Sequence, residues 1–203
     1  ATAPHNRTTW WYAWDRYVIP DVYSDMPSEL RAIREAAALI DMSPLPKMEI
    51  AGPDAHRLVD RLMTRDLSAI AAGQAMYTPW CNEQGLLVGD GLVFRLDEQR
   101  FIVSGEASHA WFAVHAGGLD LVLRNVSDDF GVLSLQGPRA FEVLAAATGR
   151  DWSGLKFSAI VRAEIAGVQL FLARQGFTGE RGFELWVPRD GGAAVWNAVH
   201  AAG

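Results

Sequence analysis

The chain has 203 residues, of which 50% are hydrophobic and 21% are charged, a balance typical of soluble globular domains. Its formal net charge of −6 argues against a general nucleic-acid-binding or membrane-binding surface. Cys81 is the only cysteine, which excludes an internal disulfide and a cysteine-based zinc site. Because the sequence shows no signal-like N-terminus and no long apolar stretch, we expect a cytoplasmic protein.

The first distinctive stretch is aromatic. "TTWWYAWDRYVIP" (residues 8–20) carries three tryptophans and two tyrosines. One interpretation is a hydrophobic cover over the core, because aromatic side chains bury large areas. The other is the wall of a substrate site, where such rings bind a methylated cation. The next stretch, "SELRAIREAAALID" (residues 28–41), predicts a helix.

An internal repeat organises the rest of the chain. "MEIAGPDAHRLVDRL" (residues 48–62) and "LSLQGPRAFEVLAAA" (residues 133–147) each read as an apolar strand, a Gly-Pro pair and an amphipathic helix. The same spacing relates Trp111 to Trp196, and "VHAGG" to "VHAAG" near the ends of the two helices that follow. Several coincidences in one register indicate a duplicated unit.

Each repeat reads as a strand, a helix, two or three strands and a second helix. Turn-forming residues at 82–85 and 97–99 separate the strands of the first repeat. This order is that of the ferredoxin-like βαββαβ unit, so the sequence predicts an α+β fold made of two related units. The expected division is an N-terminal aromatic segment and helix (1–46), a first unit (47–130) and a second unit (131–203).

Familiar catalytic motifs are absent from the sequence. It contains no phosphate-binding loop, dinucleotide fingerprint or nucleophile elbow, and its five histidines show no tight metal-ligand spacing, so no metal site is expected. "RQGFTGERGFELWVP" (residues 174–188) is unusual in another way. Its three glycines suggest that backbone or ligand comes close, and a carboxylate then interrupts an apolar strand.

Four blocks of sequence resemble the glycine-cleavage T-protein (aminomethyltransferase) family in their order and spacing. They are "MEIAGPDAHRLVDRLMTRDLS", "YTPWCNEQGLLVGDGLVFRLDEQRFIVS", "LSLQGPRAFEVL" and "RQGFTGERGFELWVP". This family also includes tetrahydrofolate-dependent demethylases and the folate domains of sarcosine and dimethylglycine dehydrogenases. The resemblance covers residues 28–203. It implies an incomplete folate-binding domain that would continue beyond residue 203 into a small β-barrel, which is absent here.

The resemblance implies a catalytic acid in the first unit. The family pattern N-E-x-G-G-x-x-D-D stands here as residues 82–90, with Gly89 in place of the first aspartate. Its second aspartate, which the family uses against the reactive nitrogens of folate, matches Asp90. Tyr77 matches an aromatic folate contact of the family. The departure at Gly89 bears on the identity of the donor more than on folate binding.

The second implied group lies in "RQGFTGERGFE", which matches the family block R-T-G-Y-T-G-E-x-G-F-E. Glu184 matches the acid that holds the pterin edge, and Phe177 replaces a tyrosine. A carboxylate can accept two parallel hydrogen bonds from a reduced pterin, and a ring such as Phe177 can stack on it. Arg174 is the candidate cation for the anionic glutamate tail of tetrahydrofolate.

Each of these residues also has a plainer interpretation. Glu184 could lie on a solvated strand face, and Asp90, between two glycines, could be a turn acid. Tyr77 and Phe177 could be ordinary packing residues.

The resemblance implies a tetrahydrofolate-dependent one-carbon transferase. Aminomethyl transfer would use a donor on a lipoyl carrier protein, whereas a demethylase would take a methyl group from a small O-, N- or S-methyl compound. The alternative is a non-catalytic folate-binding accessory protein of the iron–sulfur-assembly type. Those relatives carry a K-G-C-Y-x-G-Q-E type of motif, and the present chain lacks its cysteine, which counts against that alternative. Neither nucleic acid nor membrane is an expected partner.

Overall fold

The computed structural model describes residues 2–106 and 108–203. These residues form two compact units. The first unit consists of residues 45–128 and 158–160, and the second of residues 2–44, 129–157 and 161–203. Each unit carries a five-stranded sheet, and residues 2–44 group with the second unit.

The first unit contains β4 (Lys47–Ala51), α2 (Ala55–Leu62), β5 (Gln74–Cys81), β6 (Leu87–Arg95), β7 (Arg100–Gly105), α3 (His109–His115) and β8 (Val122–Asn125). Its strand order is β5-β6-β7-β4-β8, with every neighbouring pair antiparallel. The four strands β8-β4-β7-β6 have the order of a ferredoxin-like unit, and β5 is an additional edge strand.

Helix α2 packs on one face of this sheet because its apolar residues recur at helical spacing. Leu58, Val59 and Leu62 are buried, whereas the intervening charged residues face outward. They join Met48 and Ile50 of β4 in one core cluster. Burying a side chain of this size stabilises the fold by about 2 kcal/mol. The helices therefore fix which face of the sheet remains for polar residues.

Glu49 lies on the opposite face of β4 and forms an ion-paired cluster. Arg100 of β7 donates from Nε to one carboxylate oxygen, and Arg124 of β8 donates from Nη2 to the other at 2.9 Å. Burial opposes ionisation, but the hydrogen bonds from the two arginines outweigh it, so the pKa of Glu49 lies below its ordinary value of 4.5. The carboxylate thus links three neighbouring strands, β7, β4 and β8, through ion pairs.

Replacing Glu49 by Gln is expected to destabilise the first unit by about 1–2 kcal/mol at neutral pH, because the arginines are half exposed and their loss of a partner is partly screened. A depressed folded-state pKa contributes stability above the unfolded-state pKa, and that contribution is lost as the pH falls through the folded-state pKa. Urea unfolding of the wild type and Glu49→Gln should therefore converge under acid conditions. A constant difference across pH would contradict the ionic origin.

The second unit repeats the architecture. Its sheet and the helices packed on it consist of β3 (Ala38–Asp41), β9 (Phe130–Gln136), α4 (Ala140–Thr148), β10 (Ile160–Ile165), β11 (Val168–Ala173), β12 (Gly182–Pro188) and α5 (Gly192–Ala202). The strand order is β10-β11-β12-β9-β3. Pairs β11–β12, β12–β9 and β9–β3 are antiparallel. Helices α4 and α5 pack on one face through a cluster that includes Leu144, Phe183, Leu185 and Val195.

The two sheets confirm the predicted α+β fold of two ferredoxin-like units. Gly52 and Gly137 follow β4 and β9 with φ of 139° and 131°, so the two Gly-Pro turns share a backbone conformation. Trp111 and Trp196 lie in α3 and α5, the second helices of the two sequence repeats. In the sheet of the second unit, β3 occupies the position that β8 occupies in the first.

The helix predicted over residues 28–41 is shorter than expected. Helix α1 spans Met26–Glu35 and begins at Asp25, whose carboxylate accepts a hydrogen bond from the backbone N–H of Ser28. Residues 38–41 form β3 instead and pair with β9. The helical prediction is wrong there because the open edge of β9 offers ladder hydrogen bonds to the apolar residues Leu39 and Ile40, and tertiary pairing overrides local propensity.

The aromatic N-terminal stretch forms a hairpin of β1 (Trp11–Trp14) and β2 (Tyr17–Pro20). Trp10, Trp11 and Tyr12 are each about half exposed or more. These three side chains are therefore not buried as a cover over the core. Within the described residues, no helix is long and apolar enough to cross a membrane.

Candidate functional site

Tyr77 and Asp90 meet on the first unit. Pro79 of β5 pairs with Asp90 of β6, and Tyr77 pairs with Leu92, so both side chains share the sheet face opposite α2. The Tyr77 hydroxyl donates a hydrogen bond to Asp90 Oδ2 at 2.8 Å. Tyr77 is 53% exposed and Asp90 is partly exposed, so both side chains are accessible. The structure thus brings two of the predicted site residues into one hydrogen-bonded pair.

Two glycines allow the backbone next to Asp90 to pack closely against β7. Gly91 and Gly105 face each other across the β6–β7 pairing. A Cβ atom on Gly91 would come within 2.2 Å of the Ser104 carbonyl oxygen, so no larger residue fits there. The backbone beside Asp90 is therefore held by close contact with β7, and the carboxylate is oriented by its hydrogen bond from Tyr77.

The structure explains why glycine stands at position 89, where the family pattern has its first aspartate. A Cβ atom at this position would lie 2.8 Å from Cζ2 of the Trp80 indole and 2.8 Å from the Cβ of Glu106. Trp80 is fully buried, packs on Phe112 and donates from its indole nitrogen to Ser108. Because the indole occupies the space, an aspartate at position 89 is incompatible with Trp80 in this arrangement.

The hydrogen bond to Asp90 raises the pKa of Tyr77 above its ordinary value of 10.0, with burial and the negative charge of Asp90 acting in the same direction. We expect Asp90→Asn to lower the pKa of this phenol toward 10.0. The measurement is a tyrosinate absorbance titration, with the Tyr77→Phe variant subtracted to remove the other three tyrosines. An unchanged titration of Tyr77 in Asp90→Asn would show that the pair does not form in solution.

Glu184 lies on the second unit, in the middle of β12. Its neighbours Phe183 and Leu185 point into the core with α4 and α5, so Glu184 points to the opposite face. The indole nitrogen of Trp186 donates to Glu184 Oε2 at 3.1 Å, and Ser134 of β9 is its direct cross-strand partner. The carboxylate is partly exposed and is oriented from one side by Trp186.

Phe177 and Arg174 occupy different surroundings in the same unit. Phe177 is 61% exposed in the loop between β11 and β12, so its ring is available for stacking. Arg174 donates from Nη1 to the carbonyl of Leu155, and its guanidinium lies 5.2 Å from the centroid of the Phe141 ring. Because Phe141 belongs to α4, Arg174 is on the helix side of the sheet, opposite Glu184.

Gln136 was missed by sequence reasoning. Its side chain is fully buried, and Cβ atoms built on Gly176 or Gly182 would lie within 2.4 Å of it. Two of the three glycines in "RQGFTGERGFE" therefore make room for this glutamine, not for a ligand as their pattern suggested. The signal in the sequence was the alternation in "LSLQ", where Ser134 and Gln136 place two polar groups on one strand face.

Tyr77 and Asp90 belong to the first unit, and Phe177, Glu184 and Arg174 to the second. Over the described ranges, 2–106 and 108–203, no three His, Cys, Asp or Glu side chains gather as a metal site would require.

Comparison with known proteins identifies the family of this chain. The family model described as the GCVT N-terminal domain matches residues 4–203. The chain belongs to the GCVT family. Among its relatives, the aminomethyltransferase of Exiguobacterium sibiricum is 37% identical over 188 residues, covering 90% of this chain and 52% of that protein. The aminomethyltransferase of Bacillus subtilis is 36% identical over 191 residues, with 91% and 52% covered.

Two solved structures share the architecture. The glycine cleavage system aminomethyltransferase T from Bartonella henselae superposes with a TM-score of 0.83 at 26% identity, covering 94% of this chain and 53% of that one. A heterotetrameric sarcosine oxidase from Corynebacterium sp. U-96 matches with a TM-score of 0.61 at 16% identity, over 87% of this chain and 89% of that one, which shows the fold alone. The chain spans about half the length of the GCVT relatives it matches.

Proposed function

We propose that this chain is the folate-binding part of an enzyme that transfers a one-carbon unit to tetrahydrofolate. The observation that carries the proposal is the Tyr77–Asp90 pair, an accessible carboxylate with one oxygen held by a phenol. Among residues 2–106 and 108–203, no side chain or backbone N–H donates to the second oxygen, which can therefore face a substrate. Its position in the GCVT pattern supports this assignment.

Asp90 is the proposed catalytic acid. Its carboxylate is suited to accept or return a proton at a folate nitrogen, and its negative charge stabilises a cationic one-carbon donor as the carbon is transferred. Tyr77 keeps the carboxylate oriented and offers its ring to the pterin or benzoyl group. No covalent bond to the protein is needed in this scheme.

Glu184 is the proposed acceptor for the donor-rich edge of the pterin. A carboxylate can accept two parallel N–H hydrogen bonds, each stronger than a neutral one. Trp186 holds one side of the carboxylate, which reduces the entropy lost on binding. Phe177 supplies an exposed ring in the same unit. The packing of Arg174 on Phe141 favours a structural role, so our proposal assigns the glutamate tail to other cations.

An aminomethyl group on a lipoyl carrier protein is the first donor we propose, because relatives at 36–37% identity carry the name aminomethyltransferase. Because Gly89 replaces the first aspartate of the family pattern, a small methylated compound is the second donor to be tested. A cytoplasmic location is part of the proposal.

The test is product formation by the full-length protein. It is incubated with tetrahydrofolate and either an aminomethylated lipoyl carrier or a panel of small methylated compounds, and methylene- or methyl-tetrahydrofolate is measured by mass spectrometry. Glu184→Gln is expected to weaken tetrahydrofolate binding by about 10-fold or more. Glu164→Gln, an exposed acid of β10 in the same unit, is the matched control. Binding without turnover on any donor would favour the accessory-protein alternative and overturn the proposal.

A further inference from the structure

The side chain of Gln136 is a buried amide that contacts strand β9 and the loop between β11 and β12. It is the last residue of β9 and is fully inaccessible. Nε2 donates to Ser134 Oγ at 3.0 Å and to the carbonyl of Gln175 at 3.2 Å. Oε1 accepts a hydrogen bond from Thr178 Oγ1 at 3.1 Å. A buried amide is stable only when satisfied in this way, so its partners are fixed by it in return.

Two glycines enclose the amide. A Cβ on Gly176 would lie 2.1 Å from Gln136 Oε1, and a Cβ on Gly182 would lie 2.2 Å from Nε2. Neither glycine has a left-handed φ, so glycine is required at both positions by lack of space and not by backbone conformation. Gly176 and Gly182 bracket the loop of residues 176–182, so both ends of that loop are packed directly on Gln136.

The loop between these ends carries Phe177 and is held from two sides. Thr178 binds Gln136 on the inner side. On the outer side, Arg34 of α1 donates to the carbonyl of Thr178 at 2.8 Å and pairs with Glu180 at 3.0 Å. The Arg34 side chain is 60% exposed, so the outer attachment is weak and the buried inner one dominates.

The same amide reaches the strand position opposite Glu184. Gln136 Nε2 donates to Ser134 Oγ, and Ser134 is the cross-strand partner of Glu184. Gln136 itself pairs with Gly182, two residues before Glu184. One side chain therefore contacts the loop that carries Phe177 and also Ser134, the cross-strand partner of Glu184.

We propose that Gln136 is a positioning residue that fixes Phe177 and Glu184 relative to each other for binding the pterin. It touches no substrate and acts through Thr178, Ser134 and the two glycines. This inference rests on the proposed folate-binding function, but the packing on which it depends can be tested without folate.

The packing is tested by a double-mutant cycle on the full-length protein. Gly182→Ala alone should lower the ratio of folded to unfolded protein by about 10-fold or more, because the added methyl group meets the amide of Gln136. In a Gln136→Ala background, the further effect of Gly182→Ala should shrink to about 3-fold or less. Gly154→Ala, where an added Cβ meets nothing within 4 Å, is the control. An equal cost of Gly182→Ala in both backgrounds would overturn the packing.

The positioning role is tested by tetrahydrofolate binding and turnover. Thr178→Val, which removes the donor to Gln136, should raise the KM for tetrahydrofolate about 5-fold to 10-fold with kcat little changed. Thr178→Ser retains the hydroxyl and should restore the wild-type KM. Thr148→Val removes a hydroxyl bonded to Trp152 and serves as an equally destabilised control with normal KM. Gln136→Met should raise the KM at least as much as Thr178→Val.

The outcomes separate the two proposals. Normal KM in Thr178→Val and Gln136→Met, with wild-type protein that binds tetrahydrofolate, overturns the positioning role alone. Wild-type protein that binds no tetrahydrofolate overturns the proposed function and the positioning role with it, while the stability cycle still reports whether Gln136 and Gly182 are in contact.

Discussion

Asp90→Asn is expected to slow the formation of one-carbon tetrahydrofolate by about 100-fold to 10,000-fold, the range for loss of a general acid–base group. The asparagine keeps the size of the side chain and a hydrogen-bonding oxygen, so the β6 backbone and its contact with β7 should be unchanged. It loses the negative charge and the capacity to take up a proton. Tetrahydrofolate affinity, measured by calorimetry, should remain within about 3-fold, because affinity is assigned to Glu184 and the rings.

Tyr77→Phe is the matched variant for Asp90→Asn. It removes the hydrogen bond to Asp90 Oδ2 and retains both the ring and the carboxylate. The rate should fall by about 10-fold, far less than in Asp90→Asn, because only the orientation of the acid is relaxed. A rate for Asp90→Asn within 3-fold of wild type, roughly the scatter of such contributions, would remove Asp90 from the mechanism.

Gly105→Ala should destabilise the first unit by about 3 kcal/mol, the upper part of the range for overpacking. The added methyl group would lie 2.1 Å from the carbonyl oxygen of Asp90 and 2.7 Å from Cα of Gly91. Both contacts are with backbone, which cannot move aside as a side chain can. The β6–β7 pairing must open locally, so the variant should also lose turnover even where it remains folded.

Gly117→Ala is the control for this variant. Gly117 lies in the same unit, and a Cβ there would meet nothing within 4 Å. Its substitution should leave stability unchanged or raise it by about 0.4–1 kcal/mol, because alanine restricts the unfolded chain. Urea unfolding of both variants measures the difference. Equal stability of the two alanine variants would mean that β6 and β7 are not so close at Gly105.

Much of the fold could be predicted because the repeat carries its own signals. The Gly-Pro turns, the amphipathic spacing of Leu58 and Leu62, and the turn residues at 82–85 are local features that the structure retains. Strand β3 could not be predicted in this way. Its residues favour a helix locally, and their extended form depends on the unpaired edge of β9, which is distant in sequence.

The residues of the candidate site likewise fall into those with a local sequence signal and those that depend on contacts between distant segments. Asp90 and Glu184 could be selected from sequence, because a carboxylate within a strand of recognisable pattern is a local feature. The hydrogen bond from Tyr77 follows from the antiparallel pairing of β5 and β6 and needed the register to be known. The side chain of Gln136 joins two chain segments that are about forty residues apart in sequence. No local pattern links its amide to Gly176 and Gly182.

The origin of β3 has a consequence for the order in which the protein folds during synthesis. All strands of the first sheet come from one continuous stretch, residues 47–125, so that sheet can be completed as soon as the stretch has been made. Strand β3 is synthesised before all of it, yet its partner β9 is made only afterwards. The apolar residues of β3 therefore remain unpaired until β9 has been synthesised, while the first unit folds. Any delay at that stage exposes an unpaired edge to other chains, which makes this segment the expected point of early aggregation.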